Sequence, residues 1–158
     1  MIATKNKKEF LTQQVNELLK NLKPDTEPAF GLMTPQHMVE HLTLGIKISV
    51  KRHGEPEDPP TEKQLGFQRF IKNGAILKHK PSDKTKADLP ELIYDNIEEA
   101  IEEIAVGVER FYNHYEANPG FKCCNKFFGE LGFTDLELFH YQHFRFHFWQ
   151  FGLLEKYP

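Results

Sequence analysis

Eight histidines occur among the 158 residues, and two pairs of them have a spacing that suits a metal ion. His143 and His147 are four residues apart, and so are His37 and His41. On a helix, side chains four residues apart lie one turn above each other on the same face, so two imidazoles can converge on one ion. The spacing therefore marks both pairs as candidate metal ligands.

The pair nearer the C-terminus continues into a longer polar stripe on a helix face. His140 and Gln150 extend the stripe of His143 and His147, and apolar neighbours such as Phe139 indicate that this face points inward. Buried polar groups must be hydrogen-bonded or must bind something. A single histidine pair is most often an ordinary surface or core feature, but two pairs on inward faces favour a metal site built from facing helices.

A second metal motif can be read in the first pair. The segment His37-Met38-Val39-Glu40-His41 has the pattern H-x-x-E-H, in which both histidines bind zinc and Glu40 is the general base. This interpretation leaves the other histidine pair without a role, and it needs a further carboxylate ligand that no spacing singles out. Glu40 is otherwise expected to hydrogen-bond a ligand histidine or to be a solvated helix residue, and Gln150 to hold a ligand or to face solvent.

Four main helices are expected to position these side chains. Their apolar residues repeat at helical spacing, and the helices are predicted at roughly 7–22, 34–51, 95–117 and 134–151. Thr34, Asp95 and Thr134 are the expected N-caps of the last three, and Glu98 and Glu137 are expected to complete capping boxes.

A long crossover separates the second and third predicted helices. Residues 52–95 are polar and rich in proline, and a short helix over about 61–73 is predicted inside them. A connection of this length in a small domain often lines or covers a site. Since no segment shows convincing strand alternation, we predict an all-α, four-helix bundle that forms a single domain over 1–158.

The motifs resemble those of one known family. The segment Phe30–Leu42 is similar to the first metal-ligand helix of the DinB/YfiT-like proteins, with His41 in the place of the family's histidine. The segment His143–Gln150 resembles the family's closing H-x-x-x-H-x-x-Q motif, and Phe128-Gly129 fits one branch of the family. The two histidine motifs are specific, and the similarity between them is in the helical plan alone.

The resemblance implies a fold and a site. The fold is a bundle with up-down-down-up topology, and the site is one divalent ion, zinc or nickel, on His41, His143 and His147 with open positions. Family members include thiol-dependent S-transferases, an isomerase and proteins assigned as hydrolases. A metal-dependent enzyme that activates water or a low-molecular-weight thiol is therefore expected, acting on a small molecule, with a homodimer as one expected assembly.

His37 and His140 are additions near the ligands, either alternative ligands or their neighbours. The rival hypothesis is a non-catalytic metal- or partner-binding bundle.

Composition excludes other classes. The net charge is −3 and no basic stripe is evident, so nucleic-acid binding is not expected. No apolar run approaches the roughly 20 residues of a membrane helix, and the polar stretch Met1–Phe10 does not resemble a signal peptide, so we expect a cytoplasmic protein. The adjacent Cys123 and Cys124 are expected to be reduced thiols in a loop, with a redox or metal role as the alternative.

Overall fold

The computed structural model describes residues 6–158, and helices make up 52% of them. The helical class is confirmed. No signal peptide was expected in Met1–Phe10, and residues 1–5 of that stretch lie outside the described part. The helices are α1 (Lys7–Glu9, then Phe10–Gln14 in π-helical form, then Val15–Leu19), α2 (Pro35–Ile48), α3 (Glu62–Lys72), α4 (Ile97–Ala117) and α5 (Phe133–Gln150). None of these helices is long and apolar enough to cross a membrane.

Two helix starts follow the sequence prediction. The Thr34 hydroxyl accepts a hydrogen bond from the His37 backbone N–H at 3.2 Å, and Pro35 occupies the first turn of α2, where it costs no hydrogen bond. Thr61 and Gln64 form a reciprocal capping box at the start of α3. The crossover helix is therefore confirmed, and its start is fixed by local hydrogen bonds.

The predicted cap of α4 was wrong by one residue. Asn96, rather than Asp95, accepts the hydrogen bond from the Glu99 backbone N–H at 2.9 Å, and the capping box with Glu98 does not form. Asn and Asp are about equally good N-caps, so local preference does not choose between them. Starting the helix at the buried Ile97 places its apolar face on the core.

The predicted start of α5 was also wrong. Gly132 takes the N-cap position without a side-chain bond, and Thr134 lies inside the first turn. The ring of Phe133 stacks on Phe111 of α4, with centroids 5.6 Å apart, which favours an earlier start. The Glu137 carboxylate accepts a 2.6 Å hydrogen bond from the Tyr112 hydroxyl instead of closing a capping box.

A hairpin that the sequence did not predict lies between α4 and α5. Its antiparallel strands are β1 (Cys123–Asn125) and β2 (Gly129–Leu131). Strands of three residues are too short to show alternation, and all of β1 is buried, so no pattern was visible. The two cysteines are free and buried within β1 rather than in a loop.

The core is formed by all five helices and the hairpin. α2 packs closely along α4, where a Cβ on Gly107 would lie 2.8 Å from the Ile46 side chain. α5 packs against α1, α2 and α3, and its residues Phe133, Glu137 and His140 contact α4. The largest fully buried side chains are Phe10, Phe111, Phe144, Phe148, Leu11, Leu19, Met38, Leu42, Ile46, Ile71, Ile104 and Leu136.

Candidate metal centre

Two helices bring three imidazoles together. His41 comes from α2, while His143 and His147 stand one turn apart on α5. The Nε2 atoms of His41 and His143 are 2.9 Å apart, and one ligand nitrogen from each ring lies within 4.8 Å of the others. The ring centroids form a nearly equilateral triangle with sides of 4.8, 4.8 and 5.0 Å.

This arrangement fits a divalent metal ion. Tetrahedral zinc has Zn–N bonds of about 2.0–2.1 Å, which puts two ligand nitrogens roughly 3.3 Å apart. The one short separation of 2.9 Å and the upper limit of 4.8 Å bracket that value, so the three rings are close enough to be candidate ligands of one ion. Within residues 6–158, no Cys, Asp, Glu or fourth His belongs to the cluster. Three protein ligands with a position left open are typical of catalytic sites.

Burial favours the neutral form of the two α5 histidines, which is the form that can bind a metal. Desolvation, and then the neighbouring His147 and His41, hold the pKa of His143 well below its usual value. Desolvation and the neighbouring His41 lower the pKa of His147 to about 4. Desolvation also lowers the pKa of His41, whose ring packs against the other two although the residue as a whole is exposed at the edge of the cluster. The cluster is thus buried on one side and open on the other.

Gln150 orients one of the candidate ligands, His147. Its Oε1 atom is 2.7 Å from Nδ1 of His147, and its Nε2 atom donates to the Phe30 carbonyl at 2.8 Å. Because the amide oxygen can only accept, Nδ1 of His147 must carry the proton, which leaves the Nε2 lone pair free for a ligand bond. The side chain is buried, which excludes the solvent-facing alternative.

The connector before α2 lies against the end of α5 and leaves little space around the Gln150 side chain. Gly31 has φ of +85°, and a Cβ there would lie 2.8 Å from Nε2 of Gln150. The Ala29 N–H also donates to the Gln150 backbone carbonyl at 2.8 Å. Residues 29–31 therefore clamp the end of α5. No role for Phe30 or Gly31 was predicted from the sequence, although both lie in the segment Phe30–Leu42 that resembles the DinB/YfiT-like motif.

His37 lies away from the cluster. Its Nε2 atom donates to the Pro90 carbonyl at 3.0 Å, since a carbonyl only accepts. Its Nδ1 atom is 2.7 Å from the Thr34 hydroxyl, which then donates. With both ring nitrogens engaged, His37 ties the crossover to the start of α2 and is not part of the triangle with His41.

Glu40 also ties the crossover to α2. Its carboxylate accepts hydrogen bonds from the backbone N–H groups of Ile93 at 2.7 Å and Tyr94 at 3.1 Å, and from Gln36 at 3.0 Å. Burial acts to raise the pKa of this carboxyl, but those hydrogen bonds outweigh it, so the pKa lies below its usual value. Because its carboxylate oxygens already accept hydrogen bonds from the crossover, Glu40 is a poor candidate for the general base of an H-x-x-E-H site.

His140 is buried in the aromatic core. Its ring packs edge-on against Phe111, with centroids 5.1 Å apart, and neither ring nitrogen has a hydrogen-bond partner among the described residues. Burial lowers its pKa to about 3. His140 is therefore not part of the cluster. Its ring stays neutral and lies on α5 next to the helix face that carries His143 and His147.

A cavity of about 880 Å³ opens beside the three histidines. All three line it, together with an aromatic wall from α3, α5 and the hairpin and three lysines. This wall was not predicted from the sequence. Its available signals were the high phenylalanine content and the pair Phe67 and Phe70, three residues apart on the predicted short helix. A smaller cavity of about 260 Å³ lies on the other side of His41, under the crossover.

Comparisons with known proteins give no family. The chain matches no protein-family model, and neither a curated protein nor a solved structure is significantly similar to it. The assignment of function therefore depends on the geometry of the site and on the motif resemblance.

Proposed function

We propose that this protein is a metal-dependent enzyme of the DinB/YfiT-like type, with α1, α2, α4 and α5 as an up-down-down-up bundle and His41, His143 and His147 holding one zinc or nickel ion. The observation that carries the proposal is the convergence of three imidazoles from two helices at the wall of a cavity large enough for a small molecule. Sites for such ligands have volumes of about 300–1,000 Å³.

The chemistry follows from the donor set. A divalent ion held by the three neutral imidazoles of His41, His143 and His147 would keep its full charge and would supply Lewis acidity that lowers the pKa of a coordinated water or thiol. The protein supplies orientation and a dry surface. Gln150 fixes the tautomer of His147, and Phe139 stacks on His143 with ring centroids 4.9 Å apart. We propose hydrolysis or transfer to a low-molecular-weight thiol as the reaction class.

Metal binding by matched histidine variants tests the ligand set. In the proposed site His147→Ala removes a ligand and abolishes stoichiometric Zn²⁺ binding in isothermal titration calorimetry. His37→Ala retains most of the binding, because both of its ring nitrogens are hydrogen-bonded to other groups. Normal binding by His147→Ala together with loss in His37→Ala would establish the H-x-x-E-H site instead.

A second measurement separates an enzyme from a non-catalytic metal-binding bundle. Cobalt-substituted protein is titrated with azide and with a small thiol, and the visible spectrum is followed. An open position on the ion gives a shifted spectrum with saturable dependence on the added ligand. An unchanged spectrum would indicate a closed structural site.

A further inference from the structure

The large cavity beside the histidines is aromatic along its wall and cationic where it meets solvent. We propose that the substrate is an amphipathic organic anion, with its apolar body on the aromatic wall and its charged group at Lys78 and Lys80. The part played by the histidines rests on the proposed function, whereas the preference for an amphipathic anion is a property of the cavity itself.

The wall is continuous with the metal centre. Phe67 of α3 stacks on Phe128 of the hairpin, with centroids 4.7 Å apart, and packs edge-on against Phe139 at 5.2 Å. Phe139 in turn stacks on His143 at 4.9 Å. A flat or chain-like apolar group on this wall would therefore end next to the ligand rings, where burial of apolar area favours its binding.

The charges at the opening are all of one sign. Lys63, Lys78 and Lys80 line the cavity, and no acidic residue does so among the described residues. The chain as a whole has 23 acidic residues against 20 lysines and arginines, so composition does not explain this bias. In the described part none of the three lysines has an ion pair, and Lys63 lies 5.7 Å from the ring centroid of Phe127. Unpaired cations beside an apolar surface attract an anion and favour its approach.

The smaller cavity provides an internal comparison. It shares His41 with the large one, but it is lined by Glu40, Asp88 and Glu91 as well as by Lys84. Its charges are therefore mixed. The positive bias belongs to the larger cavity alone, and that cavity is also the one on which all three metal-ligand candidates open.

Two fluorescent probes with the same aromatic skeleton test the proposal. 1-Anilinonaphthalene-8-sulfonate is an amphipathic anion, and N-phenyl-1-naphthylamine is its uncharged counterpart. Each is titrated into the zinc-loaded full chain at low ionic strength. We expect the sulfonate to bind about tenfold more tightly, and we expect salt to reduce that preference. Equal affinities, or tighter binding of the neutral probe, would overturn the proposal.

Lysine variants locate the charged group. The double variant Lys78→Gln/Lys80→Gln should weaken sulfonate binding about fivefold, as expected for two partly solvated charge contacts, and leave the neutral probe unaffected. Lys20→Gln/Lys23→Gln makes the same change in net charge outside the cavity and should alter neither affinity. A sulfonate affinity that is equal in the two double variants would refute the assignment to Lys78 and Lys80.

The aromatic wall and the metal are tested separately. Phe127 is exposed at the rim of the cavity, and Phe127→Ala should lower the affinity for both probes by a similar factor. An unchanged affinity for both probes would show that they bind outside this cavity. Repeating the titrations after chelation separates this inference from the proposed function. A chain that binds no zinc refutes the proposed function, while the probe pair still decides the anion preference. A sulfonate preference that disappears with the metal refutes the role of the lysines.

Discussion

Replacing Gly31 by alanine tests whether the contact between the connector and Gln150 controls metal affinity. A Cβ at this position would be 2.8 Å from Nε2 of Gln150, whereas ordinary contacts begin at 3.4 Å. The amide must therefore move by about 0.6 Å. That shift disturbs both of its hydrogen bonds, to the Phe30 carbonyl and to Nδ1 of His147, because a single planar amide makes them.

The expected magnitude follows from the role of Gln150 in orienting a ligand. Loss of a hydrogen bond that holds a metal-binding histidine typically costs about 10–100-fold in metal affinity. The shift in Gly31→Ala is small, so we expect the lower end, about a tenfold increase in the Zn²⁺ dissociation constant. Competition against a chelating dye measures it. Gln150→Ala removes both bonds and should give the larger effect.

Gly54→Ala is the matched control. Gly54 has the same φ of +85°, but a Cβ there would have no neighbour within 4 Å. Both variants carry the cost of a non-glycine residue in the left-handed region, about 1–2 kcal/mol. The midpoint temperature of thermal unfolding of the metal-free protein should therefore fall in both variants, and further in Gly31→Ala because its Cβ also displaces Gln150, while only Gly31→Ala loses zinc affinity. Equal zinc affinities in the two variants would refute the proposed contribution of Gln150.

Three further outcomes follow from the buried titratable groups. Since desolvation and His41 lower the pKa of His147 to about 4, zinc affinity should be nearly constant from pH 8 to 6 and fall as the pH approaches 4, and a steep loss near pH 7 in calorimetry would contradict this. The folded-state pKa of His140, about 3, lies below its unfolded value of about 6.5, so its contribution to stability is present above pH 6.5 and is lost as the pH falls towards 3, by up to about 1.4 kcal/mol per pH unit. Urea unfolding of metal-free His140→Leu should therefore have a shallower pH dependence than the parent, and parallel curves would contradict it. Burial raises the pKa of the Cys123 thiol to about 11, so a thiol-reactive disulfide should modify it at least about 100-fold more slowly in folded than in unfolded protein, and fast modification of the native state would show that β1 opens.

The helices were predictable where the signal was local. A threonine followed by proline fixed the start of α2, and apolar residues at helical spacing indicated each of the main helices. The starts of α4 and α5 were missed because tertiary contacts decided them, as with Phe133 stacking on α4. The hairpin was missed because each of its strands has only three residues, too few to show a readable period, and β1 is buried throughout.

The candidate site was likewise predictable only where the relation between residues is local. The pair His143 and His147 was evident because one helix face fixes their relation, while their approach to His41 was expected from the motif resemblance. The roles of His37 and Glu40 were not accessible, because they depend on how residues 90–94 fold back over α2. Nothing local in the sequence predicts that return.

The separation of the ligands along the chain has a consequence for folding. His41 and His143 are 102 residues apart, so an ion that binds both would act as a cross-link that encloses α3, α4 and the hairpin in one loop. A covalent link across a loop of about 100 residues stabilises a fold by roughly 4–5 kcal/mol in the chain-entropy treatment. A coordination bond is reversible, so the benefit scales with free metal and disappears on chelation. In the unfolded chain an ion could still bind the local pair on α5, but it would close no long loop. Metal supply would then regulate the resistance of the whole bundle to unfolding, independently of any reaction in the cavity.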